Sequence, residues 1–122
     1  MLRLGEQYLI RAEARLKQGN LVGAKDDIDI IRERAGLAPT NANDEPSLMA
    51  AIVKERRVEL FTELGQRWFD LKRTNKLIDR VTRLNPDAAQ YIKPFQTVRP
   101  IPQSQIDAVT NKSEFSQNPG YQ

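Results

Sequence analysis

Glu55, Glu59 and Glu63 recur at four-residue intervals, a spacing that stacks three carboxylates along one side of a helix. Such a series could hold a metal ion or supply the acid pair of a glycosidase. Neither chemistry is well served here. The chain has no histidine to complete a di-metal motif, and glycosidase carboxylates converge from separate elements instead of one helix. Arg56, Arg57, Arg67 and Arg73 stand among the glutamates, and a guanidinium fork matches a carboxylate two bonds at a time. Leu48, Ile52, Glu55 and Glu59 share one helical stripe, so two carboxylates lie on the face that also carries aliphatic side chains. Carboxylates leaving water need partners. The residues therefore predict a structural ion network at a helix corner, fed by the nearby arginines, with Asp70 and Arg73 flanking the face of the next helix. Arg67→Ala or Asp70→Ala is then expected to strand a buried charge at about 3 to 5 kcal/mol. No catalytic residue, metal ligand or cofactor is assigned, and the chain reads as a non-enzyme.

The rest of the composition narrows the chemistry further. There is no cysteine, which removes disulfides, thiolate metal sites and thiol nucleophiles. With 19 basic and 16 acidic residues the formal charge is +3, too slight to call for a nucleic-acid partner. The stretch 66–83 is the most basic, with Arg67, Lys72, Arg73, Lys76, Arg80 and Arg83 against Asp70 and Asp79, and it reads as a solvated helix face. The longest apolar cluster, 48–53, falls far below the roughly 20 residues a bilayer crossing needs. No signal peptide precedes the first helix, so the chain belongs in the cytosol or behind an export signal upstream of Met1.

The elements that would position these groups are helical. Met1, Gly5, Tyr8, Leu9, Ala12 and Leu16 follow a three-four spacing and predict a helix to Gln18, stopped by Gly19-Asn20. Leu21, Ala24, Ile28, Ile31 and Ala35 repeat it, ending at Gly36 with Pro39 beyond. The two form an antiparallel hairpin. A polar loop leads to a third helix over 47–64, and Gln66 to Val81 predicts a fourth. Prolines at 86, 94, 100, 102 and 119 forbid long helices after Asn85 and leave extended chain with one short helix near Ser104. Phe95, Val98, Ile101, Ile106 and Phe115 are spaced anchors there, which suggests a strap lying on the helices. The fold class is accordingly all-α, with tetratricopeptide-like helical hairpins and an extended, proline-rich C-terminal strap. Its parts are a hairpin over 1–38, a second helix pair over 44–83 and an irregular tail over 84–122.

Aromatic rings are the other candidates, since sugars stack their C–H faces on exposed rings. Trp68 and Phe69 lie in a patterned helix and read as packing. Tyr91 and Phe95 sit in the proline-rich part, where exposure and ligand contact are easier to reach. Tyr121 reads as an anchor for the terminus. The signal assigns none of them as a ligand-binding residue, and those remain unknown.

Ala12, Gly19-Asn20 and Ala24 occupy the small-residue and turn positions of a tetratricopeptide unit, with Tyr8 and Ile28 at two large ones. Five blocks then appear in order: RLGEQYLIRAEARLKQGN, IRERAGL, KERRVELFTELGQRWFDLKRTNK, RPIPQSQID and a terminal QNPGY. Together they resemble the C-terminal part of SusD/RagB proteins, over nearly the whole chain, with Gln66 where many members carry histidine. The resemblance implies a surface lipoprotein of the outer membrane that captures nutrients, usually an oligo- or polysaccharide, for a TonB-dependent SusC-type transporter. It also implies that this chain is a piece of a larger protein, that the lipid anchor lies elsewhere, and that it forms non-catalytic scaffold. The rival expectation is a tetratricopeptide-like protein–protein interaction module that binds no carbohydrate.

Overall fold

The computed structural model describes residues 3–63, 65–111 and 116–121; Met1 and Phe115, which the sequence reading places among apolar positions, and residue 64, its expected end of the third helix, lie outside them. Among the described residues the chain is all-α, without a strand. Its helices are α1 (Leu4–Lys17), α2 (Leu21–Arg34), α3 (Glu45–Glu59), α4 (Gln66–Arg73), α5 (Leu77–Leu84) and α6 (Gln103–Ala108). Two 3-10 turns, Pro86–Gln90 and Pro94–Thr97, separate the last two helices. The chain divides into two compact units, Met1–Arg67 and Trp68–Gln122.

In the first unit α1 and α2 form the hairpin and α3 packs on both. Small residues make the close approach possible: Ala12 and Ala24 are fully buried together with Leu16, Ile28, Leu48 and Ile52. The turn follows from Gly19, whose φ of 78° is open to a residue without Cβ. Its N–H bonds to the Leu16 carbonyl at 3.0 Å and the Asn20 N–H to the Arg15 carbonyl at 2.9 Å, the paired closure of a Schellman motif. Asn20 then starts α2 by accepting from the Gly23 N–H at 2.9 Å. Asp44 starts α3 in the same way, accepting from the Ser47 N–H at 2.8 Å in a capping box. Hydrogen bonding from Ser47, side chain first and backbone second, holds the Asp44 carboxyl below the usual carboxylate range.

Two helix boundaries differ from the sequence reading. The third helix ends at Glu59, not near residue 64, because Leu60–Glu63 turn out of it and Thr62 takes a positive φ of 62°. The fourth, expected to run unbroken from Gln66 to Val81, is two helices divided at Thr74–Lys76. Asn75 has a φ of 55°, Lys76 N–H bonds to the Leu71 carbonyl at 2.8 Å, and Asn75 N–H to the Lys72 carbonyl at 3.1 Å. This is the same closure that Gly19 makes, here built on asparagine, which tolerates the left-handed conformation. Periodicity alone passed over it. The grouping of 44–83 as one helix pair also differs from the observed division, which falls between Arg67 and Trp68 and leaves α3 with the first hairpin.

In the second unit both 3-10 turns pack against α5, so the strap rests on a helix within its own unit. Its far end is held by side chains that bond to extended backbone. Gln117 accepts from the Ile101 N–H at 2.7 Å and donates to the Ile101 carbonyl at 2.9 Å, while Asn118 donates to the Arg99 carbonyl at 2.6 Å. Tyr121 donates its hydroxyl to the Val98 carbonyl at 2.9 Å and sets its ring edge-on to Phe95, centroids 4.9 Å apart. Gly120, at φ 90°, lies against that Phe95 ring where a Cβ would collide.

Candidate functional site

The ionic network exists, but its carboxylates reach across helices, not along their own. Glu55 is buried beside Ile52 and Leu48 on α3, as the shared stripe requires, and accepts from Arg32 of α2 at 2.6 Å. Glu59 meets Arg34 of α2 at 2.5 Å and Arg3, just before α1, at 3.5 Å. Glu63 pairs with Arg3 as well. Arg3, Arg32 and Arg34 thus meet these carboxylates, where the sequence reading put Arg56, Arg57, Arg67 and Arg73. Arg56 and Arg57 follow Glu55 by one and two positions and so do not face it, whereas Arg32 on the facing helix meets the carboxylate head-on. Gly5 makes room at Glu59, since a Cβ there would stand 2.6 Å from the Glu59 Oε1.

The deepest charge is one the sequence reading did not single out. Asp27 is 0% exposed on α2, accepts from Arg11 through Nη2 at 2.6 Å and forms an ion pair with Arg15 at 2.9 Å. Arg11 also stands over the Tyr8 ring, 5.0 Å from its centroid. The bond to Asp27 raises the Arg11 pKa, so this guanidinium stays charged throughout the accessible pH range. A signal was present: Asp27 follows Ala24 by three positions and precedes Ile31 by four, placing it on the apolar stripe of α2. Asp70, expected in a buried pair, bonds at 3.0 Å to Arg73; its own side chain is only 15% exposed, while that of Arg73 is nearly half exposed. The carboxylate of that pair is largely withdrawn from water, as the sequence reading expects, and its arginine keeps access to solvent.

The rings also redistribute. Trp68 and Phe69, read as packing residues, are 48% and 57% exposed, because α4 is only two turns long and buries no residue completely. Tyr91 is exposed, in line with its place in the proline-rich segment. Phe95 is half-buried under Tyr121 instead of free, and Tyr121 anchors the terminus. Near these rings in the same unit, Lys72, Asn75, Leu77, Ile78, Pro94 and Thr97 line a cleft of about 390 Å³. On the hairpin, Leu4, Gln7, Tyr8, Ile10 and Arg11 line a depression of about 320 Å³. No group of three or more acidic side chains among the described residues is arranged to hold a metal ion.

The first unit is a helical frame whose carboxylates are bound to arginines of neighbouring helices, and comparison with known sequences places the chain in a family. A model of the SusD family matches residues 1–121, and the chain belongs to that family. It is also similar to the SusD-like protein P38 of Formosa agariphila, with 35% identity over 94 residues, covering 70% of this chain and 18% of that protein. The chain therefore spans less than a fifth of the relative it matches. No solved structure gives a significant match.

Proposed function

We propose that this chain is the non-catalytic scaffold of a cell-surface glycan-binding protein that delivers nutrient to a TonB-dependent SusC-type transporter in the outer membrane. The observation carrying this reading is the commitment of Asp27, Glu55 and Glu59 to arginines of adjacent helices, 2.5 to 2.9 Å away. Carboxylates so engaged are occupied in holding three helices together and are poor general acids or nucleophiles. Family membership supplies the rest of the reading. Family membership supports a lipid as the membrane anchor, carried on another part of the protein because this chain holds no cysteine.

The test compares the full-length protein with this chain on a panel of oligosaccharides, together with co-purification of the transporter. The full-length protein binds at least one glycan and retains the transporter, while the chain alone binds sugars weakly and hydrolyses none. Tight glycan binding by the chain, or bond cleavage by it, would overturn the scaffold assignment. A protein–protein interaction module without carbohydrate binding is the second reading, favoured by the exposed Leu4 and Ile10 beside the Tyr8 depression on the hairpin. Transporter capture by a full-length protein that binds no glycan would select it.

A further inference from the structure

The cleft of the second unit has the makings of a ligand subsite. We propose that it takes a carboxylate-bearing sugar residue, with Lys72 as counter-ion, Asn75 and Thr97 reading hydroxyls, and Leu77, Ile78 and Pro94 supplying the apolar wall. This rests on the reading of the whole protein as a glycan receptor and names a substrate chemistry for it.

At about 390 Å³ the cleft falls within the roughly 300 to 1,000 Å³ of small-molecule sites. Its walls are positioned from three places. Lys72 comes from the last turn of α4, Asn75 from the left-handed junction, and Leu77 and Ile78 from the start of α5. Pro94 and Thr97 come from the 3-10 turn, which is fixed by the Lys93 N–H bonding to Gln96 Oε1 at 2.7 Å and by Phe95 lying edge-on to Tyr121. Leu77 is buried and gives the cleft a firm floor.

Charge selects the ligand. Among the described residues no carboxylate lines the cleft, and the nearest acidic residues in sequence, Asp70 and Asp79, bond to Arg73 and Arg83 at 3.0 and 2.9 Å. Among the described residues no carboxylate pairs with Lys72, so its ammonium is available to an incoming anion. A neutral sugar would offer that cation hydroxyl oxygens but no counter-charge. A fatty acid would satisfy it but leave the amide of Asn75 and the hydroxyl of Thr97 facing hydrocarbon, at the cost of unmade hydrogen bonds. A sugar acid engages all three and lays its C–H face on the aliphatic wall.

Isotope-labelled chain titrated with glucuronate, glucose and hexanoate, followed by amide chemical shifts, tests this directly. Glucuronate should move the amides of Lys72, Asn75, Leu77, Ile78 and Thr97, with glucose and hexanoate at least tenfold weaker and the response falling as salt is raised. Lys72→Gln should cost glucuronate tenfold or more while leaving the rest of the spectrum in place, and Lys72→Arg should keep most of the affinity. Asn75→Asp, which sets a like charge at the rim, should weaken glucuronate independently. Equal response to glucose or hexanoate, shifts confined to other residues, or full affinity in Lys72→Gln would each overturn the assignment. Glycan binding by the full-length protein with the cleft untouched would overturn it too while sparing the receptor reading. Glucuronate in the cleft of a protein that binds no oligosaccharide would sink only the receptor reading.

Discussion

The two units are held together by different means. The first has a packed apolar interior and a set of ion pairs that cross from helix to helix, with Asp27 wholly out of water. The second buries one side chain completely among its described residues, Leu77, and relies on Gln117, Asn118 and Tyr121 gripping the backbone of 98–101. Side-chain-to-backbone bonds fix a path for chain that prolines keep out of helices, but each contributes only about 1 kcal/mol net. Packed apolar area with paired charges produces a rigid frame. A clipped strap produces a shaped surface, and this unit carries the exposed rings of Trp68, Phe69 and Tyr91 and the cleft at Lys72, while the first unit exposes Phe61.

Perturbations rank accordingly. Asp27→Ala should have the largest effect, lowering stability by about 3 kcal/mol in urea unfolding, at the lower end for a broken buried pair because Arg11 and Arg15 keep access to water. A loss below about 1 kcal/mol would show the network to be incidental. Gly120→Ala should cost about 2 kcal/mol, since it combines a left-handed backbone with overpacking against Phe95. Hydrogen exchange should register that loss at 98–101 and not in α1 to α3; equal loss in both units would erase the contrast between them. Gly5→Ala gains helix propensity but displaces the Glu59 carboxylate, for a net loss of about 1 kcal/mol by thermal melting.

Asp70→Ala should be comparable, about 1 kcal/mol, because Arg73 keeps access to water although the Asp70 carboxylate is mostly buried, and a loss of about 3 kcal/mol or more would make the pair as costly to break as the sequence suggests. The smallest effect concerns acid. Because the folded Asp44 pKa lies below its unfolded value, its cap contributes above the unfolded pKa and fades as pH falls through the folded one. Asp44→Asn should therefore flatten the stability of α3 between neutral and strongly acidic pH relative to the parent chain, measured by circular dichroism.

Much of the frame was legible in the chain. Three-four spacing located α1 and α2, Gly19 and Gly36 gave their ends, and Ala12 and Ala24 marked the crossing, because period, turn chemistry and side-chain size are local properties. The short helix α6 was legible for the same reason, as was the anchoring role of Tyr121. The break at Asn75 was less so, since asparagine is compatible with both a helix interior and a left-handed cap. Exposure of Trp68 and Phe69 escaped the pattern because α4 stops before its apolar face can be covered.

What the sequence by itself determined, then, is the all-helical hairpin, the proline-bound strap and the presence of carboxylates on an apolar stripe. Which arginine meets which carboxylate was decided only by the tertiary structure. Glu55 took Arg32 and Glu59 took Arg34 because helix packing carries residues 23 and 25 positions away into contact, a distance over which no local spacing rule operates. The cleft at Lys72 belongs to the same class, assembled when the strap folds back on α5 and its walls come from segments that share no local pattern.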